Sequence, residues 1–228
     1  MIELRHIHRI FQVGDQQVHA LQDVNITIAA GEYVSIMGPS GSGKSTLLNI
    51  LGLLDQPSSG NYRLDGQDTA HLPELERARL RREKIGFVFQ FFHLIPRLTA
   101  AENIALPLLL AGVPPLVRAQ KVARTLAAMG ISDRAGHKPE QLSGGQRQRV
   151  AIGRATILEP AVLLADEPTG NLDRASGQEV LKALETLNQQ GLTLLVVTHD
   201  PEIGSRTRRT IRMVDGGIAQ DERRAPVQ

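Results

Sequence analysis

Cysteine and tryptophan are both missing from the 228 residues. Without thiols there are no disulfides and no thiolate metal centres, so any metal must be held by oxygen or histidine. Aromatics are scarce, two tyrosines and five phenylalanines, which leaves few rings available to stack on a base. No apolar run approaches the ~20 residues needed to cross a bilayer; the longest, Ile104 to Val113, is interrupted by Pro107. Strong charge of one sign is absent too. A formal net charge of +2 gives no general reason to expect nucleic-acid binding, despite a pI of about 9.2. The start, Met1-Ile2-Glu3-Leu4-Arg5, lacks the charged-then-apolar layout of a secretion signal, so the chain is expected to stay in the cytoplasm.

What is present suffices for one sizeable core, at 41% hydrophobic and 22% charged residues, with a subdomain inserted into it. Alternation in Ile2–Ile7 and Val24–Ile28, with Gly14-Asp15 between them, predicts antiparallel strands at the start. Tyr33–Met37 reads as a buried strand and Thr46–Leu54 as a helix, ended by Pro57-Ser58-Ser59-Gly60; Ile85–Phe89 is the next core strand. From about residue 91 to 159 the pattern is mostly helical, with a proline-broken segment around Ala105–Pro115 and an amphipathic stretch over Ala119–Met129. Two β-rich apolar runs follow, Ala161–Ala165 and Thr193–Val197, separated by the helical pattern of Ser176–Gln189. Strands alternating with helices imply a parallel sheet covered on both faces. The tail from Asp221 to Gln228 is polar and expected to fray.

One segment carries a specific chemical signal. Gly38-Pro39-Ser40-Gly41-Ser42-Gly43-Lys44-Ser45 fits the phosphate-loop template G-x-x-x-x-G-K-[S/T] at every fixed position, between a strand and a helix. Its glycines let backbone N–H groups close around phosphates, Lys44 reaches the outer phosphates, and the Ser45 hydroxyl is placed to ligate Mg²⁺. The helix beginning at Thr46 would aim its positive end at the anion. Leu163-Leu164-Ala165-Asp166-Glu167 then sets a carboxylate pair at the sheet's C-terminal edge, where α/β folds hold ligands. Asp166 would hold Mg²⁺ through water, and Glu167 would polarise the water that attacks the γ-phosphate. Taken alone, such a pair also fits a plain strand-end turn.

A second glycine-rich element, Leu142-Ser143-Gly144-Gly145-Gln146, opens the helical pattern of Arg147–Leu158. Ser143 can cap that helix, and the paired glycines leave N–H groups able to approach an anion. Two basic groups, Arg77, Arg79, Arg81, Arg82 and Lys84 among Glu74, Glu76 and Glu83, and Arg206, Arg208, Arg209 and Arg212, read as solvated faces.

Together, the phosphate loop, Gln90 after a core strand, the Leu142–Gln146 pentapeptide, the Asp166-Glu167 pair followed by Leu172-Asp173, and His199 at the end of the last core strand resemble the ATP-binding cassette family. The resemblance covers essentially the whole chain, and the pentapeptide is quite specific to that family. It implies an α/β P-loop NTPase fold with a RecA-like parallel-sheet core, an N-terminal antiparallel β subdomain and a helical subdomain inserted at about 91–159, all in one ATP-binding domain spanning 1–228. It also implies a head-to-tail pair of subunits that sandwiches two ATP molecules with Mg²⁺. Each ATP would lie on the loop from Gly38, Pro39, Ser40, Gly41, Ser42 and Gly43 to Lys44, Ser45 and Thr46 of one chain. Ser143, Gly144, Gly145 and Gln146 of the other chain would cover it. In the family's terms Glu167, His199, Gln90 and Lys44 are catalytic: Gln90 reaches Mg²⁺ and the attacking water and signals to a membrane partner, and His199 bonds the γ-phosphate. An aromatic near the N-terminus stacks on adenine in such proteins; Phe11 matches that position, with a core role as the lesser alternative.

A narrower likeness, to the MacB and LolD branch, is carried by Leu51–Pro57, Gly86–Pro96, Ala101–Leu108 and Ala165–Asp173. It implies a peripheral ATPase on the cytoplasmic face of the inner membrane, working with an integral permease subunit and in some cases a periplasmic adaptor, and with no nucleic-acid partner. The apolar block Phe91, Phe92, Leu94, Ile95, Leu106, Leu108, Leu109 and Leu110 is a candidate groove for the partner's coupling helix, against the alternative of internal packing. Cassettes of DNA repair and ribosome factors are the competing class, but the chain has neither heptad runs nor a second such pentapeptide. A P-loop kinase or GTPase fits less well, since no guanine-selecting Asn-Lys-x-Asp is present.

Overall fold

The computed structural model describes residues 1–70 and 72–224. The chain runs β1 (Ile2–Val13), β2 (Gln16–Ile28), β3 (Tyr33–Met37), α1 (Lys44–Leu51), β4 (Ser59–Leu64), β5 (Gln67–Asp68), α2 (Glu74–Lys84) and β6 (Ile85–Val88). Helices α3 (Ala100–Leu110), α4 (Pro115–Ala128) and α5 (Gly144–Thr156) follow. The remainder is β7 (Val162–Asp166), α6 (Arg174–Gln189), β8 (Thr193–Val197), α7 (Pro201–Arg206), β9 (Arg209–Val214) and β10 (Gly217–Arg223).

The larger sheet has the order β10-β9-β3-β8-β7-β6, with β9 through β6 parallel and β10 antiparallel at the edge. Its strands are apolar at successive positions because alternate side chains enter different cores. Leu164 of β7 and Leu195 and Val197 of β8 pack in one core with α1 and the N-terminal sheet. Leu163 and Ala165 of β7, with Leu194 and Val196 of β8, pack in the other against α3, α5 and α6. A strand buried on both faces has no polar side to show, so its sequence reads as a continuous run.

The smaller sheet, β2-β1-β4-β5, is antiparallel. Its hairpin reaches beyond the predicted strands to the turn at Gly14-Asp15, with register shifts between Leu4 and Ile10. The outer half of this hairpin is largely exposed on both faces, so no alternation betrays it in the sequence. Strand β4 begins at Ser59-Gly60, residues whose composition suggests only a turn. A carbon added at Gly60, whose φ is 101°, would lie 2.3 Å from the His6 carbonyl oxygen, so the glycine serves close pairing with β1.

Between β6 and β7 the regular structure is helical, and α3 packs on both α4 and α5. The expected proline break falls between α3 and α4, just before Pro114 and Pro115, and not at Pro107, which lies inside α3, whose start is fixed by a Thr99–Glu102 capping box. The helix gives up one backbone bond at Pro107 while burying Ile104 and Leu108 completely enough to hold it.

The C-terminal region corrects two further expectations. Arg209 is 5% exposed rather than solvated: its guanidinium donates two 2.7 Å bonds to the Asp221 carboxylate, one to the Thr27 carbonyl and one to Glu32. Asp221 to Arg223 consequently belong to β10 rather than to a frayed tail; residues 225–228 lie outside the described residues. Strand β8, which carries His199 just past its end, is therefore not the last strand of the sheet.

Candidate nucleotide site

Strand β3 delivers the phosphate loop into the open end of the parallel sheet, and two glycines show why the loop takes its path. At Gly38, with φ 156°, a side-chain carbon would sit 2.3 Å from the Met213 carbonyl oxygen. At Gly43, with φ 95°, it would sit 2.5 Å from that of Ala20. Gly43 is the N-cap of α1 in a left-handed conformation and offers no side-chain acceptor. The first bond of the helix runs from Leu47 to the Gly43 carbonyl, so the N–H groups of Lys44, Ser45 and Thr46 have no partner within the helix. These three residues, with Gly38, Ser40, Gly41 and Gly43, line a cleft of about 500 Å³. Pro39 and Ser42 do not line it. Their carbonyl and hydroxyl, with the Gly38 carbonyl, accept bonds from the Lys44 ammonium at 2.7, 3.4 and 2.9 Å.

The opposite wall of the same cleft is formed by Gln90, Asp166, Glu167 and His199. Asp166 ends β7, where burial and then the neighbouring Glu167 charge push its carboxyl pKa up, offset in part by Lys44. Glu167 takes a left-handed φ of 44° and donates its backbone N–H to the Val197 carbonyl, which turns the chain sharply out of the sheet. Its carboxylate is held on both oxygens. Oε1 accepts from the His199 backbone N–H at 3.0 Å and lies 2.6 Å from His199 Nδ1, while Oε2 accepts from the Thr198 hydroxyl at 3.0 Å. Thr198 was given no role by the sequence, though its place directly before His199 at the end of β8 was the available signal. Asn171 is a second addition: it exchanges bonds with Gln90, Nε2 to Oδ1 at 3.3 Å and Nδ2 to the Gln90 carbonyl at 3.1 Å.

Two predicted groups lie outside this lining. Phe11 pairs with Val18 across β1 and β2. It is Val18, His19 and Ala20 that line the cleft, while the Phe11 ring has the Arg9 guanidinium 4.4 Å from its centroid. Ser143, Gly144, Gly145 and Gln146 also do not line it. There Ser143 caps α5, accepting from the Gln146 N–H at 3.2 Å, and Gln146 Oε1 accepts from the Ser143 N–H at 2.9 Å. Gly145 does more than free an N–H group: a carbon added there would lie 2.8 Å from Ser176 Cβ, so the glycine permits close approach of α5 to α6.

The donor atoms facing Asp166 suit a divalent cation. The Ser45 hydroxyl, the Gln90 amide and the Asp166 and Glu167 carboxylates that line the cleft are hard oxygen donors of the kind Mg²⁺ selects. The adjacent Asp166 and Glu167 charges disfavour one another, a repulsion that a cation in the cleft would relieve.

Residues 21–170 match the ABC transporter family. The chain is 50% identical over 225 residues to the macrolide export ATP-binding/permease protein MacB of Rhodopseudomonas palustris, covering 99% of this chain and 34% of that protein. It is 51% identical over 221 residues to MacB of Burkholderia thailandensis, covering 97% and 34% respectively. It thus spans about a third of the length of the curated relatives it matches. Among solved structures, the ATP-binding cassette MJ0796 in a dimeric post-hydrolysis state bound to ADP and Pi has a TM-score of 0.91 and 43% identity, with both chains fully covered. A second dimeric structure of that bacterial ABC transporter cassette gives 0.91 and 44%. The loop, the acid pair and the overall architecture agree with these matches, and the chain belongs to the ABC transporter family, as one of its ATP-binding cassettes.

Proposed function

We propose that this chain hydrolyses ATP as the motor of a MacB/LolD-type transporter, in a head-to-tail pair that closes over two nucleotides and transmits closure to a membrane permease. The observation that carries this reading is the single cleft in which Lys44, Ser45 and the free N-terminus of α1 face Glu167, itself fixed by Thr198 and His199. The triphosphate lies along the loop, its charge met by Lys44 and the N–H groups of α1. Ser45, Gln90 and, through water, Asp166 would hold Mg²⁺, which would supply charge neutralisation at the outer phosphate oxygens. Gln90 orients the attacking water, and Glu167 takes its proton. The base needs no search for its geometry, because both of its oxygens are already anchored.

His199 has a constrained role. Its Nδ1 must carry the proton to bond the ionised Glu167, so a neutral ring presents Nε2 as an acceptor. Contact with a γ-phosphate oxygen therefore requires either the doubly protonated ring or its release from Glu167. The residues Ser143 to Gln146 sit away from this cleft and are assigned to the nucleotide on the second copy, as the dimeric state reported for MJ0796 supports. Phe11 or its strand neighbour Val18 meets the base.

The membrane partner is supported by the MacB relatives, which are combined ATP-binding/permease proteins, and by an apolar surface on the helical lobe. Phe91, Leu109, Leu110 and Leu116 are 70%, 55%, 72% and 74% exposed. No helix among the described residues is long and apolar enough to cross a membrane, so the cassette would reach the cytoplasmic face of the membrane through that surface; a periplasmic adaptor would join through the permease.

Glu167→Gln tests the reading. The variant keeps ATP affinity, slows turnover by roughly 10² to 10⁴, and in light scattering accumulates as an ATP-dependent dimer. Parent-level hydrolysis by Glu167→Gln would show that the base lies elsewhere.

A further inference from the structure

Helix α5 is joined to the reaction centre by more than its position. Gln148, two residues past the Ser143–Gln146 turn, is fully buried. Its Nε2 donates to the Phe89 carbonyl at 3.3 Å and to the Pro168 carbonyl at 2.8 Å. Phe89 immediately precedes Gln90, and Pro168 immediately follows Glu167. One amide group thus spans the two turns that carry the water-orienting residue and the base. Only the –NH₂ end of the side chain can serve two carbonyls, which fixes the orientation of the amide. Its Oε1 is left buried without a partner, a cost that an apolar side chain of the same length would not carry.

Neighbouring side chains of α5 grip the same turn. Arg154 donates to the Phe92 carbonyl at 3.0 Å and to that of His93 at 2.6 Å. Both residues are non-glycines in left-handed conformation, with φ of 59° and 49°, a pair that persists only when its surroundings hold it. The Arg147 guanidinium lies 4.9 Å from the Phe92 ring centroid.

We infer that Gln148 is a positioning residue: it locks the Gln90 and Glu167 turns to α5, so that the contact made by the start of α5 on one nucleotide sets the geometry of water and base on the other. The inference rests on the function proposed above for Gln90, Glu167 and the Ser143 turn. Loss of the amide relaxes both turns together, while the phosphate loop, which α5 does not hold, keeps its shape.

The test compares the chain with Gln148→Met, which retains length and removes both polar atoms. Measured are kcat, the Kd for ATP and the melting temperature. Expected is a kcat lowered on the order of tenfold or more by misplacement of reacting groups, with Kd within about twofold, as follows from an intact phosphate loop, and a cooperative melting transition retained. An unchanged kcat in the folded variant overturns the inference, and so does a parallel loss of kcat, affinity and thermal stability, which marks a plain core lesion. If Gln148→Met does not fold, Gln148→Asn serves instead: it keeps the amide but is too short to reach both carbonyls, and the same split between kcat and Kd is required of it. Hydrolysis by the parent chain with no change in the variants removes only the role of Gln148, whereas absence of hydrolysis in the parent removes the underlying reading as well.

Discussion

Thr198 shows how a side chain without charge can fix a carboxylate, here that of Glu167, the base proposed above. Its hydroxyl donates to Glu167 Oε2 and accepts from the Asp200 N–H at 3.0 Å, so it fixes the carboxylate and the exit of β8 at once. Thr198→Val keeps the shape and removes the donor, leaving one carboxylate oxygen unpaired. We expect kcat to fall by roughly tenfold through misorientation of the base, with ATP affinity unchanged in an equilibrium binding assay. Equal activity in the valine variant would show that His199 alone suffices to hold Glu167. At this scale the sequence named Lys44, Ser45, Gln90, Asp166, Glu167 and His199, which line one cleft, because a fixed template and a strand-end acid pair carry their own chemistry. It did not name Thr198, Asn171 or Gln148, because threonine, asparagine and glutamine occur everywhere and acquire a role only from the carbonyl or carboxylate that faces them.

Elements differ in legibility for a related reason. Strands β3, β7 and β8 announced themselves because two cores demand apolar side chains on both faces. Strand β9 was hidden by the charges of Arg209 and Arg212. One of them is internal, offset by Asp221 on β10, a partner twelve residues away that no local pattern reveals. Pro107 misled in the opposite sense, since burial of α3 outweighed one lost bond. The apolar block beside Gln90 divides once the packing is known. Leu108 belongs to the helical core and Leu94 packs against it, and the Phe92 ring faces Arg147, whereas Phe91, Leu109 and Leu110 face solvent. A charge placed at Phe92 or Leu94 would therefore damage the lobe itself. Phe91→Glu and Leu110→Glu address the surface alone. Both are expected to keep the basal ATPase rate and to lose stimulation by the membrane subunit in proteoliposomes. Undiminished stimulation in both would place the permease contact on another face.

For the whole molecule, the cleft of one chain holds the glycine-rich loop, the oxygen donors beside it and the anchored Glu167, while the second glycine-rich turn, Ser143 to Gln146, does not line it. The two groups belong to one reaction centre only if two copies face each other in opposite directions. Such a shared centre allows one lesion to be complemented by another, which a monomeric enzyme does not. Lys44→Ala disables the loop of its own chain, and Ser143→Arg disables the turn offered to its neighbour. A pair made of one chain of each kind contains one site with both lesions and one with neither. Each variant by itself should be inactive, and mixing the two should restore ATP hydrolysis in part, below half the parent rate because the intact site loses the α5 contact on its lesioned neighbour, with a maximum when the two are present in equal amounts. No recovery at any ratio, in samples where light scattering shows that mixed pairs form, would contradict the shared site.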